Sequence, residues 1–220
     1  MSVAPLPIEA MLFDVEGVIA HPEPSAADHR LAGLAPGFDL EALTRARNTT
    51  RTYPLWEQYS VGAIGPQDYW HPILEEAGLP DTPETLAALR GAQREAWWAT
   101  IDETVLALID TAREAAATEG RRLRVGILSN SAPEHERYVV RFAGHFDAAC
   151  FSHRTGYRKP DPAAYHLACA AVETPPERVL FIDDKERNVL AARKLGIHAL
   201  VFSDAATLGR ELADLGLLGR

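Results

Sequence analysis

Apolar and polar positions follow two different rhythms along this chain. Five short apolar runs stand out: Ile8 to Phe13, Leu123 to Leu128, Ala148 to Ser152, Val179 to Ile182 and His198 to Phe202. Each is too short for a helix and ends in turn or polar residues, which predicts strands, the first, second and fourth of them buried on both faces. Segments with helical spacing separate and follow the last four. Val105, Leu106, Ile109, Ala112 and Ala116 make one apolar face, closed at Gly120. A helix follows Ser131, which forms a capping-box pattern with Glu134 three residues on. Another starts at Asp161-Pro162 and runs towards Val172, the next follows Asp184 and ends at Gly196, and the last covers Leu208 to Leu218. Strands alternating with helices predict an α/β fold with a doubly wound parallel sheet.

The rhythm changes between Pro22 and Trp98. Strand-like runs vanish after the stiff linker His21-Pro-Glu-Pro-Ser25, and helical segments take over at Asp39 to Asn48, around Leu55 to Tyr59, at Pro66 to Ala77 and at Pro83 to Trp98. Pro66 suits a first helical turn with Gly78 just past the end, and Asp81 or Thr82 caps the fourth segment. All four tryptophans, Trp56, Trp70, Trp97 and Trp98, fall here. They serve a small bundle that needs large side chains, or one or two of them shape a substrate pocket. The predicted organisation is an α/β core over 1–21 and 99–220, interrupted by a helical subdomain over 22–98.

A chain of 220 residues with 47% hydrophobic content can fill one core with such an insertion. The formal net charge of −9 argues against general nucleic-acid or anionic-membrane binding, while a local positive site can still take a small anion. Cys150 and Cys169 make neither a disulfide framework nor a metal motif and are expected as buried thiols. No basic-then-apolar leader opens the sequence and no run is long enough for a membrane span, so the expected location is cytoplasmic.

The chemistry collects at the strand ends, where open α/β sheets bind ligands. The first run ends in Asp14-Val-Glu16-Gly17-Val18, two carboxylates and a glycine that lets the backbone turn. The second ends in Ser129-Asn130, a hydroxyl and an amide suited to phosphate oxygens. Lys159 lies in Gly156-Tyr-Arg-Lys-Pro-Asp-Pro162, where two prolines make it a placed cation. The fourth ends in Asp183-Asp184, with Asn188 four residues after Asp184 and on the same helical face. Right-handed crossovers bring these ends to one edge. Carboxylates gathered there without a cation would repel and raise a pKa, and a divalent ion relieves that. Oxygen ligands without a Cys or His cluster suit Mg²⁺ better than zinc.

Taken in order, Asp14-Val-Glu16-Gly17-Val18, Ser129-Asn130, Lys159 in Arg-Lys-Pro-Asp-Pro, and Phe-Ile-Asp183-Asp184 with Asn188 resemble the four motifs of the haloacid dehalogenase (HAD) superfamily. The resemblance covers 8–18 and about 102 to the end, and residues from about 22 to 98 sit where this family's helical cap is inserted. The wording of the third and fourth motifs is closest to the capped sugar-phosphatase-like branch, which includes the N-terminal phosphatase domain of soluble epoxide hydrolase. The resemblance implies a Rossmann-like core and a Mg²⁺-dependent phosphatase that hydrolyses a small phosphorylated metabolite through an aspartyl-phosphate. It implies Asp14 as nucleophile, with the metal held by the side chains of Asp14 and Asp184 and the backbone carbonyl of Glu16. Asp183 would be a further ligand or a support, and Asn188 would orient the metal site. Lys159 would spread the phosphoryl charge, Ser129 and Asn130 would bind its oxygens, and Glu16 would serve as acid and base.

Glu16 departs from the pattern, because the family's phosphatases usually carry aspartate there. General acid–base catalysis contributes roughly 10²–10⁴-fold, so one extra methylene matters. The enolase-phosphatase branch also has glutamate, but its third and fourth motifs differ from these. Dehalogenase relatives lack an acid at this position and need no metal, and Schiff-base phosphonate cleavage lacks a cap lysine, since no lysine precedes Lys159. Two alternatives stay open: a catalytically weak relative that binds a phosphorylated ligand or partner protein, and a phosphotransferase to an acceptor other than water. His21, Glu23, Trp56, Tyr59, Trp70 and His71 are candidates for the cap-side lining. A monomer and a homodimer fit equally well.

Overall fold

The computed structural model describes residues 8–21, 40–98, 101–139 and 141–219. Its strands are β1 (Ala10–Phe13), β2 (Arg124–Ser129), β3 (Ala148–Phe151), β4 (Val179–Asp183) and β5 (His198–Val201). They form one parallel sheet in the order β3-β2-β1-β4-β5. The α/β class and the parallel sheet are therefore as the apolar runs predict. β1 and β4 are buried along their whole length, which is why they read as continuous apolar runs without alternation. Side chains still alternate by face. Met11, Phe13, Val125, Ile127, Leu180 and Ile182 join one cluster, and Ala10, Leu12, Leu128, Val179 and Phe181 the other.

The helices longer than one turn are α1 (Leu40–Arg47), α2 (Tyr53–Ser60), α3 (Pro66–Ala77), α4 (Pro83–Trp98), α5 (Glu103–Thr118), α6 (Pro133–Val139), α7 (Pro162–Ala171), α8 (Glu186–Lys194) and α9 (Ala205–Asp214), and a single helical turn, Ser152–Thr155, follows β3. α5 and α9 cover the first sheet face through Val105, Leu106, Ile109, Leu208 and Leu212, and α7 and α8 cover the other through Tyr165, Ala168 and Val189. Helices α1–α4 enclose a third cluster of Leu43, Ala46, Tyr59, Tyr69, Trp70, Ile73, Leu74 and Leu89, which Ala132 of the core joins. The helical segment thus packs onto the core just after β2. Cys150 and Cys169 are buried and unpaired. Among the described residues, no helix is long and apolar enough to cross a membrane.

Two local expectations are corrected. The last helix starts at Ala205 rather than Leu208, because the Asp204 carboxylate accepts the Thr207 N–H at 2.7 Å and caps it; it ends at Asp214 rather than Leu218. The Ser131–Glu134 capping box does not form either. α6 begins at Pro133, Ser131 meets His153 and Ser152, and Glu134 turns to the helical subdomain.

Candidate active site

Parallel pairing sets the strand ends side by side. Phe13 lies in register with Ile127 and Ile182, so Asp14 emerges level with the ends of both neighbouring strands. The Asp14 N–H still donates to the Ile182 carbonyl at 2.9 Å, which fixes the backbone up to the acid. The chain then turns tightly, with the Gly17 N–H donating to the Ala20 carbonyl at 2.8 Å. Gly17 has φ +85°, and a Cβ there would lie 2.6 Å from Asp184 Oδ2. Only glycine allows both this backbone and the close approach of the Asp184 carboxylate. Gly17→Ala is therefore expected to displace Asp184. It should cost about 1–3 kcal/mol in a denaturant melt.

Lys159 is the hub of the site. Its ammonium lies 2.9 Å from Asp14 Oδ2 and 2.6 Å from Asp183 Oδ2, all three groups being buried. The ammonium also lies 5.4 Å from the centre of the Phe181 ring. Asn130 holds the lysine's backbone from both sides. Its Oδ1 accepts the Lys159 N–H and its Nδ2 donates to the Lys159 carbonyl, each at 2.8 Å. Expected to bind phosphoryl oxygens, the Asn130 side chain is thus engaged in fixing the lysine loop. Ser129 is the last residue of β2 and is buried at the same edge.

Asp183 accepts from donors on both oxygens: Lys159 Nζ, the Lys185 N–H at 2.8 Å, and Asn188 Nδ2 at 3.0 Å from each oxygen. Asn188 therefore acts on Asp183, and its own main-chain carbonyl accepts the Tyr165 hydroxyl at 2.9 Å. Asp184 contrasts with this. Its Oδ1 is buried and has no hydrogen-bond donor, with the Lys185 ammonium 3.6 Å away. Asp14, Asp183 and Asp184 each offer one oxygen within 4.8 Å of the others. An orphaned carboxylate oxygen in an all-oxygen cluster fits a hard divalent cation such as Mg²⁺.

Burial dominates the electrostatics of the site. Burial pushes Asp14 up from 3.8 to about 7 against the pull of Lys159, and Asp183 adds to the rise. Burial also raises Glu16, with Lys185 opposing, Asp184 reinforcing, and Arg47 and Lys159 opposing. Burial works to lower the Lys185 ammonium, yet Asp14, Asp184, Glu16 and Asp183 leave it raised. Lys185 and Arg47 escaped the sequence-based expectations. Lys185 directly follows the paired acids, which was a usable signal. Arg47 ends a surface-like helix, and nothing local marks it.

The remaining candidates scatter. Tyr59 is buried against Glu134, and Trp70 is buried with the Arg47 guanidinium 5.6 Å from its ring centre. Trp56 lies against Tyr69 and His135. His71 pairs with Asp81 in an exposed position. His21 lies 3.6 Å from Asp102 and stacks on Phe202. Glu23 and the side chains of Trp97 and Trp98 lie outside the described residues.

Comparison with known proteins adds an independent line. A family model described as haloacid dehalogenase-like hydrolase matches residues 8–196. A sesquiterpene phosphatase of Aspergillus oryzae is 27% identical over 212 residues, covering 94% of this chain and 96% of the relative. Among solved structures, a HAD family enzyme of Bacteroides thetaiotaomicron in complex with magnesium and inorganic phosphate superposes with a TM-score of 0.69 at 20% identity, over 91% of this chain and 98% of that one. An L-2-haloacid dehalogenase of Xanthobacter autotrophicus, with chloropropionic acid covalently bound, gives a TM-score of 0.62 at 23% identity, over 97% and 85%. At those identities the two structures share the fold with this chain.

Proposed function

This chain belongs to the haloacid dehalogenase-like hydrolases, and from that premise we propose that it is a Mg²⁺-dependent phosphatase of small phosphate esters, working through an aspartyl-phosphate on Asp14. The observation that carries the proposal is the convergence of Asp14, Asp183 and Asp184 around a buried Lys159, with one Asp184 oxygen left without a donor. Asp14 and Asp184 would hold the ion with the Glu16 carbonyl, and the bound ion would offset charge on the transferring phosphoryl group. Asp183 orients Lys159 and is itself held by the Lys185 N–H and the Asn188 amide.

Each residue then has a task. Lys159 holds the Asp14 carboxylate in place and faces the phosphoryl oxygens that Ser129 also meets. An Asp14 oxygen attacks phosphorus as the ester P–O bond breaks, and Glu16 gives its proton to the departing alkoxide. Burial raises Glu16, which favours the protonated form that step requires. Glu16 next takes a proton from water, whose oxygen attacks phosphorus and releases inorganic phosphate and free Asp14. Release of phosphate from a panel containing a sugar phosphate, a nucleoside monophosphate and an isoprenyl phosphate, with Mg²⁺ and with chelator, tests the proposal. Metal-dependent release supports it, and silence across the panel from a folded, Mg²⁺-binding protein favours ligand binding without turnover.

The Glu16 side chain motivates that second possibility, and Glu16→Asp separates the two. A sharp rise in turnover marks the longer side chain as a defect, whereas a fall of about 10²-fold or more marks it as a working acid–base fitted to this site. We expect the fall. Arg47 supplies positive charge from the cap, since it opposes the rise of Glu16 and helps to push the buried His135 down to about 3, after burial itself. Arg47→Met is expected to raise KM by about tenfold with kcat little changed, read from steady-state kinetics on the best ester of the panel.

A further inference from the structure

The second helix of the cap meets the chain after β2 and the Lys159 loop through three neighbouring groups of polar contacts. The Tyr59 hydroxyl lies 2.6 and 2.5 Å from the two carboxylate oxygens of Glu134. Arg90 Nε of α4 lies 2.8 Å from Glu134 Oε1. Glu134 is 5% exposed, so this charge has been taken out of water and is matched from the cap. One residue beyond Tyr59, the Ser60 carbonyl accepts the Ser152 hydroxyl, whose oxygen accepts the Ser131 N–H at 2.9 Å. Ser131 adjoins Asn130, the residue that grips the Lys159 backbone from both sides. The same cap helix also reaches the lysine loop directly, through Glu57 and Arg158 at 2.7 Å. Contact there is close, since a Cβ on Gly62 would lie 2.6 Å from the His153 carbonyl oxygen.

We propose that Glu134 is a positioning residue. It docks the cap through Tyr59 and Arg90, and in doing so holds the start of α6 with the 130–132 loop before it, and through Asn130 the Lys159 loop, in the arrangement the reaction uses. The physical cause is the cost of a buried carboxylate without partners, which makes undocking of the cap and disorder of the loop one event. Cap position and lysine placement then share one equilibrium, so whatever seats the cap also sets the cation beside Asp14. The catalytic consequence rests on the phosphatase proposal; the structural coupling does not.

Amide hydrogen exchange on the full chain, followed residue by residue, tests the coupling in Tyr59→Phe, Arg90→Gln and Glu134→Gln. Tyr59→Phe and Arg90→Gln carry the test if Glu134→Gln does not fold. The expected result is exchange faster by about tenfold or more at the Ser131, His135 and Lys159 amides, each hydrogen-bonded here, with the β4 amides of Val179–Ile182 unchanged. Equal acceleration in β4 would mean general destabilisation and would overturn the proposal. So would a change confined to Ser131 and His135 that leaves the Lys159 amide at its wild-type rate. Steady-state kinetics of the same variants should show kcat falling by about tenfold or more, with KM little changed. If the wild-type protein releases no phosphate, the phosphatase proposal fails, while the exchange comparison still decides the coupling.

Discussion

Asp14→Asn is expected to abolish phosphate release, by about 10⁴-fold or more, while leaving the protein folded. Asparagine keeps the shape of the side chain but offers no anionic oxygen to phosphorus. Stability should move the other way. Asp14 in the metal-free protein is held up near 7 by burial, against 3.8 in the unfolded chain. Between those values the unfolded chain gives up a proton that the folded protein keeps. The stability present below pH 3.8 is therefore lost progressively as pH rises to about 7. Asparagine has no such proton, so metal-free Asp14→Asn should be the more stable protein at pH 8, and its advantage should shrink towards pH 4. Urea melts across that range in chelator check this. Activity lost alongside stability gained is the signature of a strained functional carboxylate.

Lys159→Met has the second large effect. The side chain fits the volume, but Asp14 and Asp183 then face each other in a buried site with their shared cation removed. Breaking a buried ion pair by deleting one partner costs about 3–5 kcal/mol. Loss of a positioned donor to the phosphoryl oxygens should lower kcat by about 10²–10³-fold in the protein that remains folded. The deficit depends on pH in a definite direction. Without the ammonium, Asp14 is raised further in the folded state, so the deficit grows as pH rises above about 7, where wild-type Asp14 gives up its proton, and narrows in acid. Thermal melts of wild type and variant at pH 5 and pH 8 should therefore diverge at the higher pH. Equal deficits at both values would remove Lys159 from its place as the site's central charge.

The fold was legible because its signals are local. A strand buried on both faces must be a short continuous apolar run, and β1 and β4 are buried end to end. A parallel sheet puts every strand's carboxyl end on one edge, so acids at those ends converge without any knowledge of distances. What stayed hidden depends on partners far away in the chain. Glu134 fits a capping box by spacing, yet its hydrogen-bond partner Tyr59 is 75 residues distant and belongs to the α1–α4 cluster. Asn130 read as a phosphate donor by residue type, whereas its amide is claimed by a backbone 29 residues on. Asp183 and Asp184 are neighbours with identical side chains. Only the structure tells the fully bonded carboxylate from the one with an orphaned oxygen. Arg47 carried no local mark, because a charged residue at a helix end is ordinary.

The central claim is that Asp14 carries the phosphoryl group. Its most direct measurement is the intact mass of the protein, acid-quenched during turnover of a phosphate ester with Mg²⁺, followed by mapping of the modified peptide. The account predicts a gain of one phosphoryl group on the peptide holding Asp14, absent with chelator and absent in Asp14→Asn. Phosphate released at full rate by Asp14→Asn, or a phosphoryl group mapped to any other residue, would contradict it.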